Sequence, residues 1–162
     1  MIRNLLVLLS LSGAVVLQTS VLPVHLSSLF KPDLLLIATV YIALRGSLGS
    51  GAVAAWSLGL IKDVFSGLYL GLNAFAFLII FLVIKSISDL LYAESGELFV
   101  VTVSAATLGC VAIDLILLVM LTSTSGISYS MTVGTLPHLL ANAFVASLVT
   151  LLPVFSSPQE VL

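Results

Sequence analysis

Leu98–Leu121 reads LFVVTVSAATLGCVAIDLILLVML, 24 residues interrupted by one charge, Asp114. At about 1.5 Å per residue a helix of that length rises about 36 Å, enough to cross the roughly 30 Å hydrocarbon core of a bilayer. The rest of the chain has the same character. Apolar residues make up 60% of its 162 residues, against roughly 45–50% in soluble domains. Five Lys/Arg and seven Asp/Glu are present, where a soluble domain of this length carries roughly 40 charges. So few charges cannot cover a water-facing surface. The chain therefore reads as an all-α, polytopic integral membrane helix bundle. At about 20 residues per span there is room for about six transmembrane helices, and a soluble domain does not fit beside them. Walker-type NTPases, nucleotide-binding folds and soluble hydrolases are excluded, and a net charge of −2 offers nucleic acid no basic surface. The single Cys110 lies inside the quoted run, so no disulfide or thiolate cluster is available.

Working outward from 98–121, the remaining helices are expected at 131–155, 68–87, 51–66, 33–50 and 4–23, within one transmembrane domain spanning 1–162. The first, behind Arg3, could be a signal peptide. Its exit, Gln18-Thr19-Ser20-Val21, has no A-x-A cleavage pattern, and an uncleaved helix is the expectation. Pro32-Asp33 opens the next run, where proline suits the first turn and an acid meets the positive end of the helix dipole. The uncharged part, Leu34–Leu44, would rise only about 16 Å. It crosses only by continuing through a snorkelling Arg45 to about Ser50; otherwise the bundle has five helices and a short re-entrant segment. Gly46–Gly51 reads as a breaker cluster, and 89–97 and 122–130 as loops. Placing Arg3, Arg45 and Lys85 inside, against Lys31 and Lys62 outside, puts both termini in the cytoplasm.

Three runs carry small or polar residues four apart, the pattern of a packing face in lipid. They are Gly51/Ala55/Gly59/Asp63, Thr102/Ala106/Cys110/Asp114 and Gly134/His138/Asn142/Ala146/Thr150. Residues at i and i+4 share a face, so the ionisable groups point toward other helices. Asp114 and His138 each lie seven residues, about 10 Å, from the same membrane face. Lys62, Asp63, Asp114, His138 and Asn142 are thus a candidate intramembrane polar cluster. Lys62 and Asp63 point about 100° apart and each needs a partner elsewhere, or else both lie at the interface. For Asp114 two roles stand: hydrogen bonding to neighbouring helices, which is the expectation, and a ligand or proton role. His138 follows Pro137, and a structural part in satisfying backbone freed by the proline is expected of it.

The chain is poor in the groups that chemistry needs. Ser128 or Ser130 with His138 is the one imaginable nucleophile–base pair, and no nucleophile-elbow pattern surrounds either serine. Two histidines, His25 and His138, and no H-E-x-x-H give no metal site. Neither a channel filter nor an internal repeat is evident. No catalytic residue, metal or cofactor is expected.

Phe30-Lys31-Pro32-Asp33-Leu34-Leu35-Leu36-Ile37 leads into Val40-Tyr41-Ile42-Ala43-Leu44. Gly59-Leu60-Ile61-Lys62-Asp63-Val64-Phe65-Ser66-Gly67 and Leu70-Gly71-Leu72-Asn73-Ala74 follow. This ordered pair of motifs, PDLLL…VY.AL then GL..D..SG..LG, resembles the rod shape-determining MreD family over about residues 30–75. Pro32, Asp33, Tyr41, Gly59, Asp63, Gly67 and Gly71 match the pattern, and caps and close-packing sites are expected there. Lys62 departs from it, where an apolar residue would be expected. The resemblance implies a non-enzymatic inner-membrane scaffold of the bacterial cell-elongation complex. Its partners would be an MreC-like periplasmic protein and, through it, RodA, a partner transpeptidase and MreB. The resemblance also implies the fold of the S components of energy-coupling-factor vitamin transporters, and such a substrate-binding component is the alternative reading.

Overall fold

The computed structural model describes residues 31–66, 70–88, 96–121 and 127–151, with Gly13, Val16 and Gln18. Apart from those three, the expected helix 4–23 lies outside the described residues, as do His25, Gly67 and the tail 152–162. Five helices and no strand occur among them: α1 (Leu34–Arg45), α2 (Leu48–Ser66), α3 (Leu72–Ile87), α4 (Gly96–Leu121) and α5 (Ile127–Thr150).

The expected helix 33–50 is not continuous. Asp33 caps α1 through its carboxylate, which accepts the Leu36 N–H at 3.1 Å. The helix ends after twelve residues at Gly46, which turns extended while its N–H closes onto Ile42 O at 2.7 Å. Lys85 Nζ, from the last turn of α3, donates to Gly46 O at 2.8 Å and satisfies a carbonyl at the break. The chain turns helical again at Leu48, so the breaker cluster holds one break and not a loop. Gly51 is a packing device instead: a Cβ there would lie 2.6 Å from the Phe81 ring.

The α2–α3 pair is the tightest in the bundle. Gly51, Ala55, Leu58, Gly59 and Asp63 form the buried stripe of α2. A Cβ on Gly59 would meet the Ala74 Cα at 2.4 Å, so only glycine lets the two backbones come this close. The start of α3 falls four residues later than expected because Gly71, at φ +99°, sets a left-handed turn before Leu72. α4 begins two residues early, with Glu97 in its first turn against the helix dipole. α5 begins at Ile127, not 131, and keeps Pro137 within it. The polar Ser/Thr stretch costs a helix only a few tenths of a kcal/mol per residue.

α1 packs against each of the other four helices and forms the centre of the bundle. Its Leu35, Leu36 and Val40 join Phe77 and Phe81 of α3 and Phe99 and Val103 of α4 in the core. At twelve residues it rises about 18 Å, short of a bilayer's hydrocarbon thickness. One described helix, over Gly96–Leu117, is long and apolar enough to cross a membrane by itself; Leu34–Arg45, Leu72–Ile87 and Gly134–Thr150 are shorter apolar helices. Beside this apolar core, polar groups are buried and large apolar ones face outward. Asp33, Asp63, Asn142, Thr39 and Thr107 are buried, while Val53, Leu70, Met120, Leu136 and Phe144 face outward. An outer surface of this kind suits a lipid solvent and is a liability in water.

Candidate functional site

Two polar clusters lie inside this apolar shell. The first is built on Asp63, at the end of the buried stripe of α2. Its Oδ1 accepts the Asn73 backbone N–H at 2.9 Å and the Asn73 side-chain amide at 2.8 Å. Its Oδ2 accepts the N–H groups of Gly71 at 2.9 Å and Ala74 at 3.1 Å. The first turn of α3 has no intrahelical acceptors for these donors, and Gly71 has no side chain to cap them. A carboxylate from the preceding helix does so, with its negative charge at the positive end of the α3 dipole. The arrangement also fixes the α2–α3 turn, because one side chain holds four donors on the far side of it.

The second cluster joins four helices to the N-terminal segment. Asp33 Oδ2 accepts from Lys62 Nζ at 2.6 Å. Oδ1 accepts from Leu36 N–H and from Gln18 Nε2, both at 3.1 Å, and Gln18 Oε1 accepts the Leu35 N–H at 3.0 Å. The Asp33 backbone N–H donates to Asn142 Oδ1 at 2.6 Å, and Asn142 Nδ2 donates to Thr107 Oγ1 at 2.9 Å. The Thr107 hydroxyl already donates to Val103 O at 2.8 Å, so it faces Asn142 as an acceptor, which fixes the Asn142 amide orientation. Lys62 Nζ also lies 5.0 Å from the Phe77 ring centroid, a cation–π contact. In effect the start of α1 is tied to α2 by an ion pair and to α4 and α5 by an amide bridge.

These bonds set the level at which α1 starts. It is the level of Thr107, and the 14 residues from there to Leu121 rise about 21 Å. The C-terminal half of α4 therefore extends past the start of α1, and the N-terminal half of α5 runs beside it. Burial follows this geometry. Phe99, Thr102, Val103, Ala106, Thr107 and Cys110 are buried in α4, and no described side chain beyond Cys110 is. In α5 Asn142 and Ala146 are buried, while Gly134 to Ala141 are half-buried or exposed.

The residues singled out in the sequence fall into three groups. Lys62 and Asn142 meet at Asp33. Asp63 stands apart and caps α3. Asp114 and His138 are half-buried on the extended halves of α4 and α5, within electrostatic range of both Asp33 and Lys62 and without a direct bond to either. Asp114 Oδ1 is buried and has no hydrogen-bond partner among the described residues. Of the motif residues, Pro32 and Asp33 are buried at the entry to α1, Gly59 and Gly71 act in packing and in the turn, and Tyr41 lies under Arg45, whose guanidinium carbon is 5.7 Å from the ring centroid. Gln18 and Thr107 carried no pattern that would single them out. Only the need of Lys62 for a counter-charge pointed toward Asp33, and it did not say which acid.

The fold is an all-helical bundle with apolar outer faces and buried charges tied to one another, as in helical membrane proteins. A family model described as rod shape-determining protein MreD matches residues 1–157, and the chain belongs to that family. The MreD family is a membrane protein family with a role in rod shape determination, as part of the MreBCD system. No curated protein and no solved structure matches the chain. The alternative of a vitamin-transporter S component finds no support.

Proposed function

We propose that this protein is a non-enzymatic, multi-pass scaffold of the inner membrane within the cell-elongation complex. The family match over 1–157 carries the reading. The site geometry supports it: the carboxylates of Asp33 and Asp63 accept hydrogen bonds from helix starts and from Lys62, so each holds elements together. The protein acts by presenting a fixed bundle to an MreC-like periplasmic partner, and through it to RodA, the partner transpeptidase and MreB. Depletion in the parent cell is expected to turn rods into spheres, and the tagged protein to co-purify with the MreC-like partner. Normal rods after full depletion would contradict the reading.

Both termini lie in the cytoplasm in this reading. Arg45 ends α1 and Lys85 bonds to Gly46, which brings two cations to one end of the bundle, as the positive-inside rule asks of a cytoplasmic face. In a Cys110→Ser background, single cysteines at Ser47, Ser95 and Ser125 report the sidedness. An impermeant thiol reagent added to intact cells is expected to label Ser125→Cys and to spare the other two. The opposite pattern would invert the topology.

A further inference from the structure

We propose that the half-buried face of α4 that carries Asp114 receives one cationic hydrogen-bond donor on that carboxylate, a lysine or arginine side chain of a membrane-spanning partner segment. The inference rests on the scaffold reading and deepens it.

The titratable groups within electrostatic range of Asp114 are Asp33 at the start of α1, Lys62 and Asp63 on α2 and Cys110 on α4; His138 on α5 is within range of Asp33 and Lys62, and α3 contributes the uncharged Phe77 beside Lys62. Two carboxylates share one ammonium there. Lys62 Nζ is committed to Asp33 at 2.6 Å, while Asp114 Oδ1 is out of water and has no donor among the described residues. Removing a polar atom from water without a hydrogen bond is costly, and more so for a carboxylate. Among the described residues Asp114 is thus one donor short, and Lys62, the cation within its electrostatic range, is already taken by Asp33. The site is also open: beyond Cys110 no described side chain of α4 is fully buried, and none of Gly134 to Ala141 in α5 is. Ile116 of α4 and Leu136 and Leu140 of α5 are exposed and apolar, which suits a neighbouring helix in lipid. Asp114 lies about 10 Å below the end of α4. A lipid headgroup amine would have to leave the interface to reach it, whereas a long side chain on a neighbouring helix starts at that depth.

Two measurements test this, one without the partner. In a Cys110→Ser background, Leu117→Cys is labelled in detergent with methanethiosulfonate reagents of opposite charge. The cationic reagent is expected to react about tenfold faster than the anionic one, as one nearby carboxylate dictates, and Asp114→Asn should abolish the preference. The second compares co-purification of the MreC-like partner with the melting temperature of the protein alone. Asp114→Lys and Asp114→Leu are expected to lose the partner while melting no lower than wild type, since no internal bond is broken. Asp114→Asn keeps an acceptor and should retain part of the binding. Equal labelling by the two reagents, or melting of Asp114→Leu lowered as far as that of Lys62→Leu, would overturn the inference. Undiminished co-purification with all three variants would overturn it too and leave the scaffold reading standing. Failure of the wild-type protein to co-purify with that partner would count against the scaffold reading, and the labelling ratio would then decide the inference by itself. A preference that appears only when phosphatidylethanolamine is added would assign the donor to lipid and overturn the partner assignment.

Discussion

Asp63→Leu is expected to be the most damaging single substitution in the bundle, lowering its stability by at least about 4 kcal/mol. Four donors lose their acceptor at once: the N–H groups of Gly71, Asn73 and Ala74 and the amide of Asn73. Asn73 and Ala74 are buried, so water cannot take the place of the carboxylate. Each orphaned buried group costs about 1–3 kcal/mol. Asp63→Asn should fall between, because an amide keeps one acceptor but turns an N–H toward donors. Melting temperature in detergent and the level of protein in membranes check the order wild type, Asp63→Asn, Asp63→Leu. Melting of Asp63→Leu at the wild-type temperature would show that the carboxylate does not cap α3.

Lys62→Leu is expected to cost about 2–4 kcal/mol, below the upper range for breaking a buried pair. The two partners differ in exposure, Lys62 at 22% and Asp33 at 3%, and that difference makes the effects unequal. Removing the lysine strands a buried carboxylate with two remaining donors, Leu36 N–H and Gln18. Asp33→Asn instead leaves the ammonium an amide oxygen to donate to and strands no charge of its own, so it should cost less than Lys62→Leu. The double variant should therefore be more stable than Lys62→Leu alone, with a coupling of about 1–3 kcal/mol. A cycle of melting curves measures it. Strict additivity would mean that the 2.6 Å contact contributes nothing.

How far the fold could be read from the sequence differs by feature. Composition and the 98–121 run identify helices in an apolar solvent, because both are bulk properties that hold at any packing. The small-residue stripe Gly51/Ala55/Gly59/Asp63 is legible for the same reason that it is buried: four-residue spacing is geometry, and close helices require small side chains. The glycine cluster after Arg45 is ambiguous, since glycine breaks helices and also packs them. Gly46 does the first and Gly51 the second, and only the position of Phe81 tells them apart. Contacts across helices leave less trace. Lys62 plainly needed a counter-charge, but its partner lies 29 positions earlier, and no periodicity links the two. Asn142 suits helix–helix bonding, yet its acceptor oxygen meets a backbone N–H, a group every residue but proline carries. Thr107 is a threonine among many small residues until that asparagine is placed beside it.

The proposed scaffold role requires that the protein contribute to cell shape through its fold alone. Complementation of depleted cells, scored as cell aspect ratio against the amount of folded protein in the membrane, tests it most directly. Rescue should track folded protein: poor for Asp63→Leu and Lys62→Leu, and restored in the Asp33→Asn, Lys62→Leu double variant as its stability returns. A contradiction would be a double variant that accumulates, melts and holds the MreC-like partner like wild type and yet leaves the cells round, since the pair would then be doing something other than holding the bundle together.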